Sequence, residues 1–431
     1  MTETMTAPGN AAETITERRA RLMGSNVPTF YRTPVHIVRG QGVWLWDAAG
    51  KRYLDAYNNV PHVGHCHPRV VQAIADQAAV LNTHTRYHHD LVLDYIERLT
   101  GRLGHGISQA IMVCTGSEAN DIALRMAQAV TGKTGIIATD NTYHGNTMAV
   151  SQLSTRRPPI GGRWPNVRLV PAPDSLRTPD PDGAIFAGHV ARAIAELQGT
   201  EYGFSGMLLC PVFANEGIPA VTHGFLDKAV AAVRAAGGIV IADEVQPGFG
   251  RAGSHFWGHD KLGFAPDVVT VGKPMANGHP VAAVLAHPRV MASFREVFGY
   301  FNTFGGNPVS AAACLATLSV IEDEGLMQNA AAVSAHVMDR LRAIRHPLLA
   351  EVRDAGMFFA AEFVKEDGTT PASDFVSDVV EAMVARGFLL NRIGRHGQCL
   401  KMRPPLPFSI ANGDSLIDAL EDVLKSVPVP A

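Results

Sequence analysis

Two residues with complementary chemistry follow short apolar runs in the middle of the chain. Asp243 comes directly after Gly238-Ile-Val-Ile-Ala242, and thirty residues later Lys273 follows Val268-Val-Thr-Val-Gly272. Such runs suit buried strands, so both side chains are expected at the carboxyl ends of neighbouring strands. A lysine amine there can attack a carbonyl carbon, and a carboxylate can keep a basic ring nitrogen protonated. The pair suits an aldehyde cofactor that contains such a nitrogen.

A phosphate group has its own candidate site in Thr115-Gly-Ser-Glu-Ala-Asn120. Small residues here precede a helical pattern that is expected to begin near Ser117, and free amides at a helix N-terminus bind phosphate. Each feature has an ordinary structural explanation as well. An Asp after a strand is often a cap, a Lys in a Gly/Pro loop is usually exposed, and Gly-Ser before a helix is a common N-cap. The three features together indicate a site.

Apolar runs and helical patterns alternate over the first three quarters of the chain. Strands are predicted at the runs that begin at Gly135, Gly206, Gly238 and Asp267. Helices are predicted over 68–80, from about 117, and over 224–236. This alternation favours an α/β architecture with a mostly parallel sheet, in which ligands bind at the carboxyl ends of the strands.

Beyond about residue 330 the pattern changes to that of a smaller α+β unit. Helices are predicted over 333–344, 374–386 and 414–426, and strands over 357–364 and 399–402. Residues 43–57 carry a hairpin signal around Ala49-Gly50 and are expected to join this unit. The predicted organisation is an N-terminal arm with part of the small domain (1–57), a large cofactor-binding domain (58–330) and a C-terminal small domain (331–431).

The composition excludes several classes of protein. Hydrophobic residues make up 46% and charged residues 18% of the 431 residues, which is ordinary globular usage rather than that of a disordered, collagen-like or coiled-coil chain. A formal net charge of -3 gives no basic surface, so no nucleic-acid partner is predicted. No apolar run reaches the roughly 18–20 residues of a membrane span, and the polar N-terminus lacks a secretory apolar region. A cytoplasmic enzyme without membrane association is therefore expected.

Three other patterns are interpreted as structural. The five cysteines are odd in number and form no CxxC pair, which indicates neither a disulfide framework nor a zinc ribbon. The GxGxxG spacing of 248–253 is not followed by an apolar helical pattern, so we interpret it as a backbone turn. The histidines near 62–67 and 84–89 lack the paired spacing of a structural zinc site, and no metal is predicted.

The sequence resembles the class III pyridoxal-phosphate (PLP)-dependent aminotransferases of fold type I over nearly its whole length. The matching stretches are Gly64-His-Cys-His-Pro68, Thr115-Gly-Ser-Glu-Ala-Asn120, Tyr143-His-Gly145, Asp243-Glu-Val-Gln246 with Gly248-Phe-Gly-Arg251, Gly272-Lys-Pro274, and Asn302-Thr-Phe-Gly-Gly-Asn-Pro308. The resemblance implies a large domain with a mostly parallel seven-stranded sheet and a smaller α+β domain.

The resemblance also implies a role for each matching residue. Lys273 would be the Schiff-base lysine and proton shuttle, and Asp243 the partner of the pyridinium nitrogen. The other implied contacts with PLP are Gln246 at the ring hydroxyl, Tyr143 and Val245 on the two ring faces, His144 beside them, and Gly116 and Ser117 at the phosphate. Thr303 would reach the phosphate from a second subunit, which implies a homodimer with shared sites and leaves a tetramer open.

Within the family, three segments look most like the phospho-lyase branch, which acts on O-phosphoethanolamine or phosphohydroxylysine. These segments are Asn58–Pro68, Leu81–Asp90 and Gly272–Pro280.

One departure from the family pattern supports that branch. Many class III transaminases carry a Glu that swings onto a carboxylate-binding Arg; Asn215 stands at the Glu position, and Arg403 resembles the Arg. Without that Glu, Arg403 would present a permanent positive charge, and Arg86 in the pocket-lining loop would add a second. Two guanidiniums suit a phosphate dianion. Two alternatives stay open: Glu216 could act as the switch after a one-residue shift, and Arg86 could be a structural anchor.

The first functional hypothesis is therefore a phospho-lyase that eliminates phosphate and ammonia from a phosphorylated amine to give an aldehyde. The alternative is an omega-aminotransferase that passes an amino group to pyruvate or 2-oxoglutarate. A catalytically silent fold that serves as a binding subunit is a third hypothesis, and the intact Lys273, Asp243 and Gln246 argue against it.

Overall fold

The computed structural model describes residues 13–155 and 160–429. The strands are β1 (Ile37–Gln41), β2 (Trp44–Asp47), β3 (Arg52–Asp55), β4 (Gln109–Val113), β5 (Ile136–Thr139), β6 (Val167–Val170), β7 (Gly206–Leu209), β8 (Ile239–Asp243), β9 (Val268–Val271), β10 (Ala282–Ala286), β11 (Leu349–Asp354), β12 (Phe359–Phe363), β13 (Phe388–Leu389), β14 (Asn391–Ile393) and β15 (Cys399–Met402).

The helices are α1 (Ile15–Leu22), α2 (Pro68–Val80), α3 (Asp90–Thr100), α4 (Gly116–Thr131), α5 (Met148–Ser151), α6 (Ala184–Gln198), α7 (Asp227–Ala235), α8 (Gly258–Leu262), α9 (Pro288–Val297), α10 (Pro308–Asp323), α11 (Leu326–Ala343), α12 (Ser373–Ala385) and α13 (Ile410–Ser426). A 3-10 turn, Lys273–Ala276, follows β9. None of the described helices is both long and apolar enough to cross a membrane.

The centre of the fold is a seven-stranded sheet in the order β4-β10-β9-β8-β7-β5-β6. Strands β6, β5, β7, β8 and β9 are parallel, and β10 runs antiparallel to both of its neighbours. The expected α/β fold with a mostly parallel seven-stranded sheet is confirmed. Because β8 and β9 are parallel neighbours, their carboxyl ends lie side by side, as the two polar residues require.

Strand β8 shows why the strands of the central sheet are continuous apolar runs. Ile239 and Ile241 pack into a core cluster with α4 on one side of the sheet, while Val240 and Ala242 pack into the larger core on the other side. Successive side chains of a strand point to opposite faces, so a sheet that is covered on both faces needs continuous apolar runs.

A second, antiparallel sheet forms from the C-terminal part of the chain in the order β11-β12-β15-β14. A third sheet has the order β1-β2-β3-β13, in which β3 pairs in parallel with β13. The β2–β3 hairpin is therefore joined to a strand from near the other end of the chain. The domain boundaries near residues 57 and 330 stay predictions.

Three helices differ from the sequence-based expectation. The N-terminal arm, for which no helix was predicted, contains α1. This helix begins at a capping box between Thr14 and Glu17. Helices α11 and α13 begin at Leu326 and Ile410, earlier than predicted. In α13 a glycine hides the helical pattern: a Cβ added at Gly413 would lie 2.7 Å from Val337 Cγ2, so close packing explains the residue.

Truncation of a β8 side chain should destabilise the whole fold. Ile241 is fully buried, so Ile241→Ala is expected to lower the free energy of unfolding by about 2–5 kcal/mol. Ile185 on α6 is 44% exposed, and Ile185→Ala should change it by less than about 0.5 kcal/mol. Urea unfolding of both variants measures the difference, and equal losses would contradict the burial described for β8.

Candidate active site

The carboxyl ends of three parallel strands and the start of α4 surround one cavity of about 190 Å³. The residues that line it are Gly116, Ser117, Tyr143, His144, Gly145, Cys210, Asp243, Val245, Gln246 and Lys273. Asp243 ends β8 and Lys273 begins the 3-10 turn after β9, so the sheet places acid and amine at the same edge.

The Asp243 carboxylate is buried and accepts three hydrogen bonds. His144 Nδ1 lies 2.6 Å and Asn120 Nδ2 3.0 Å from Oδ2, while the Val245 amide donates to Oδ1 at 3.0 Å. Asn120 is itself held, because its Oδ1 accepts from the Thr270 hydroxyl at 2.7 Å. These donors stabilise the charged carboxylate and fix its orientation.

The Lys273 amine lies in a pocket that favours its neutral form. Burial lowers the pKa of Lys273, the positive charge of Arg403 lowers it further, and the Asp243 carboxylate partly opposes both effects. A lysine with a lowered pKa has a larger neutral fraction at neutral pH, and only the neutral amine is a nucleophile or a base.

The start of α4 can hold a phosphate group. The Thr115 hydroxyl and the Glu118 carboxylate form a capping box, which leaves the first amides of the 16-residue helix directed out of its N-terminus. Ser117 Oγ accepts from the Asn146 amide at 3.1 Å, which ties the loop after Tyr143 to this turn. A Cβ at Gly145 would lie 2.5 Å from Ser117 Oγ, so this approach requires glycine.

The remaining lining residues border the space between the start of α4 and the Asp243 carboxylate. Val245 is buried, and a Cβ at Gly116 would lie 3.0 Å from its Cγ2. The Tyr143 hydroxyl donates to Asn146 Oδ1 at 3.1 Å and is not one of the donors to Asp243. Gln246 accepts at Oε1 from Arg403 Nη1. His144, predicted to contact the cofactor, also lies behind Asp243 as its hydrogen-bond donor.

Arg403 is buried beside this cavity without a carboxylate partner. Its guanidinium donates to Gln246 Oε1 and, at 3.1 Å, to the Tyr57 carbonyl, and within the described chain it forms no ion pair. Burial lowers the pKa of Arg403 from its usual value, yet an arginine stays charged at neutral pH. The cation is therefore available to an anionic ligand.

Glu216 forms no ion pair with Arg403 in the described chain. Its carboxylate accepts from the Thr139 hydroxyl at 2.7 Å and from the Asn215 amide at 3.0 Å. The side chain borders a different cavity, of about 520 Å³, which Arg353 and Glu362 also line. Burial raises the pKa of Glu216. In this structure the pairing of Glu216 with Arg403 that a switch requires is not formed.

Arg86 and Thr303 do not line the cofactor cavity of their own chain. The Arg86 guanidinium lies over the Phe301 ring, 3.8 Å from its centroid, and borders a separate cavity together with Tyr87 and Asn302. The role of Arg86 as a second cation in the substrate pocket stays a prediction. Both residues belong to one surface region, since Phe301 is two residues from Thr303.

Three residues of the site had no role in the sequence-based prediction: Asn120, Gly145 and Cys210. Asn120 and Gly145 lie inside the motifs that matched the family. The sequence therefore indicated their positions, but it did not predict their contacts. Cys210 follows β7, and the rule that found Asp243 and Lys273 at strand ends would have found it as well.

The sequence profile of class III aminotransferases matches residues 27–424. The chain belongs to the class III aminotransferase family. Among solved structures, a phospholyase from Arthrobacter in complex with phosphoethanolamine is 40% identical and superposes with a TM-score of 0.93, covering 96% of this chain and 100% of the other. The PMP-bound aminotransferase from Vibrio fluvialis, 24% identical with a TM-score of 0.85 over 97% and 99% of the two chains, has the same fold.

Two curated relatives bear different activities in their names. Alanine–glyoxylate aminotransferase 2-like from Drosophila melanogaster is 36% identical over 96% of this chain and 87% of its own length. Ethanolamine-phosphate phospho-lyase homolog 1 from Caenorhabditis elegans is 31% identical over 96% and 93%. This class III aminotransferase-family protein is a PLP-dependent enzyme.

The chemistry of the cavity fits PLP. It offers an amine for the aldehyde, a fixed carboxylate for the ring nitrogen and a helix N-terminus for the phosphate, all on the border of one space. A cavity with only one of these groups would not discriminate PLP from other phosphorylated ligands.

Gly145→Ala should weaken PLP binding, because the new Cβ would collide with Ser117 at the phosphate site. The collision includes the Ser117 Cα at 2.7 Å, so backbone must move, and we expect at least about a 10-fold rise in Kd. Titration of the apoenzyme with PLP, followed by absorbance, measures it. The control is Gly188→Ala on α6, where a Cβ meets no atom within 4 Å. Unchanged affinity in Gly145→Ala would show that phosphate is bound elsewhere.

Proposed function

We propose that this enzyme is a phospho-lyase that eliminates phosphate and ammonia from a phosphorylated amine such as O-phosphoethanolamine. The observation that carries the proposal is the buried Arg403 beside Lys273, which has no carboxylate partner in the described chain. A buried charge without an ion-pair partner is costly, so the substrate is the natural source of the missing anion.

The chemistry of the guanidinium supports a phosphate in particular. Arginine presents a planar fork of N–H donors that matches the oxygens of a phosphate, and two such bonds fix its orientation. A transaminase of broad specificity has to withdraw this charge when its substrate lacks an anion. Glu216 is held by Thr139 and the Asn215 amide instead, so Arg403 keeps its charge.

Two of the similar proteins support the same substrate class. The Arthrobacter structure is described as a phospholyase in complex with phosphoethanolamine, and the Caenorhabditis elegans relative is named as a homolog of ethanolamine-phosphate phospho-lyase. For this chain the substrate class is our inference from these relatives and from the unpaired arginine.

We propose the following roles for the residues of the site. PLP, when bound, supplies an electron sink for the bond that is broken at the carbon that carries nitrogen. Lys273 Nζ accepts the proton from that carbon, which its lowered pKa permits at neutral pH. Asp243 holds a proton on the ring nitrogen, and its three donors prevent it from turning away. Arg403 orients the phosphate on the adjacent carbon.

The remaining residues hold the cofactor. The amides of Gly116 and Ser117 hold its phosphate, Tyr143 and Val245 enclose the ring, and Gln246, placed by its bond from Arg403, faces the ring hydroxyl. In the net reaction the substrate loses a proton and inorganic phosphate. Water then converts the released product to aldehyde and ammonia, so no keto-acid acceptor is consumed.

The second candidate function is an omega-aminotransferase. It is favoured by the 36% identity with alanine–glyoxylate aminotransferase 2-like, a relative named for transamination. The same Lys273 and Asp243 would serve it, so the difference between the two reactions lies in the substrate pocket. Glu216 is bound to Thr139 and the Asn215 amide rather than to Arg403, which argues against a dual-specificity transaminase.

Purified enzyme with O-phosphoethanolamine and no keto acid should release inorganic phosphate and aldehyde in equal amounts over many turnovers. Arg403→Gln, assayed at saturating PLP, should raise the KM about 10-fold or more, because a charge-assisted hydrogen bond contributes about 1.5–3 kcal/mol. The matched control is Arg342→Gln on α11, whose arginine is exposed.

Two results would contradict the proposal. One is absence of phosphate release together with amino transfer to pyruvate from an omega-amine, which would establish the aminotransferase. The other is an unchanged KM for O-phosphoethanolamine in Arg403→Gln, which would remove Arg403 from the phosphate site.

We further propose a homodimer in which each site is completed by the other chain. Thr303 and Arg86 lie together on one surface region, outside the cavity of their own chain, and both suit a phosphate. Large apolar side chains of the same region are exposed, among them Tyr87, Phe301 and Phe304. Exposed apolar surface of this kind indicates a protein interface. A tetramer stays open, and the cytoplasmic location stays a prediction.

Mixed dimers test whether Thr303 acts in the other subunit. Lys273→Ala and Thr303→Asp should each inactivate the enzyme, since one removes the base and the other places a negative charge at a phosphate. A dimer with one chain of each kind regains one intact site if Thr303 serves the partner. Co-expressed chains that pair at random should then reach about a quarter of the wild-type activity. No activity in purified mixed dimers would place Thr303 in the site of its own chain.

A further inference from the structure

A second cluster of ligand-type side chains lies outside the PLP cavity, where α8 meets the loop after α3. It consists of His105, His259 and Asp260. One ligand atom from each residue lies within 4.8 Å of the other two. His259 is fully buried, while Asp260 and His105 are partly open to solvent. None of these three side chains takes part in the reaction proposed above.

The buried histidine has one nitrogen without a hydrogen-bond partner. His259 Nδ1 lies 2.8 Å from Glu244 Oε1, and the same carboxylate accepts from the amides of Gly258 and His259 at 2.9 and 2.7 Å. The carboxylate accepts from Nδ1, so in the neutral imidazole Nε2 presents the lone pair. Within the part of the chain that the structure describes, His259 Nε2 is buried and makes no hydrogen bond. A buried nitrogen without a partner lowers the stability of the folded state, and binding of a ligand there would remove this cost.

The geometry around this nitrogen is that of an open metal site. His259 Nε2 and His105 Nε2 each lie 3.6 Å from Asp260 Oδ1, too far for a hydrogen bond. In a tetrahedral zinc site with bonds of about 2.0–2.1 Å, neighbouring ligand atoms are about 3.3 Å apart. Small rotations of the two partly exposed side chains would close the cluster around an ion. Glu244 then has the position of the carboxylate that orients a metal-bound histidine.

We propose that His105, His259 and Asp260 bind a first-row transition-metal dication of the Zn²⁺ type, with water in the remaining position. Two imidazoles and one carboxylate suit Zn²⁺ and its neighbours, and they do not suit Mg²⁺, which prefers oxygen ligands. The bound ion would join the loop that carries His105 to α8. Metal binding is independent of the phospho-lyase proposal, because none of the three metal-binding residues lines the PLP cavity.

Equilibrium dialysis of the chelator-treated, PLP-saturated enzyme against Zn²⁺ tests the proposal. We expect one ion per chain, not displaced by excess Mg²⁺, and a higher thermal midpoint when zinc is present. Co²⁺ in the same site should give the visible absorbance of a low-coordinate ion, beyond the band of bound PLP. Absence of zinc binding to the wild-type enzyme would overturn the site.

Variants assign the ion to these ligands. His105→Asn should weaken zinc binding by more than about 100-fold, since even outer partners of a metal site contribute about 10–100-fold. Asparagine suits the left-handed conformation of residue 105, whose φ is 51°. The matched control is His255→Asn, an exposed histidine outside the cluster, which should bind zinc as the wild type does.

Asp260→Asn provides a second test that does not depend on the loop of His105. PLP content and activity without zinc should stay unchanged in all three variants, which separates loss of the metal from loss of the fold. Wild-type zinc affinity in both His105→Asn and Asp260→Asn would overturn the assignment.

Discussion

The Asp243 carboxylate is a negative charge that is held at the end of a fully apolar strand, and much of the site is arranged around it. A buried carboxylate without donors would take up a proton and could no longer keep a ring nitrogen protonated. Asn120 from α4 and His144 from the loop after β5 supply two of the donors, and Thr270 on β9 fixes Asn120 in turn. Helix, loop and two strands are therefore connected through one side chain.

The charges around the cavity leave Arg403 without an anionic partner in the described chain. Arg403 lies next to Lys273 and has only neutral acceptors, while Glu216 is turned towards Thr139 and a different cavity. The arginine acts on the lysine as well, because its charge lowers the pKa of Lys273. In the proposed reaction, a substrate phosphate that neutralised Arg403 would remove part of this effect and would so couple substrate binding to the basicity of Lys273.

The sequence was sufficient for the parts of the site that depend on local rules. Strand ends located Asp243 and Lys273, and a small-residue turn located the start of α4. The partners of Asp243 could not be derived, because His144 and Asn120 meet it only after distant segments pack together. The direction of Glu216 could not be derived either, since a shift of one residue in an irregular segment changes the cavity that a side chain faces. Similarly, no periodicity shows that Arg86 packs on Phe301.

The parallel pairing of β3 with β13 has a consequence for how the protein is made. Leu54 is aligned with Phe388, so a strand near the start of the chain acquires its neighbour only after more than three hundred further residues have been synthesised. Until then the edge of β3 is unpaired, and such edges favour association between chains. Strand β13 must leave the ribosome before this sheet can close, so the sheet is completed late in synthesis.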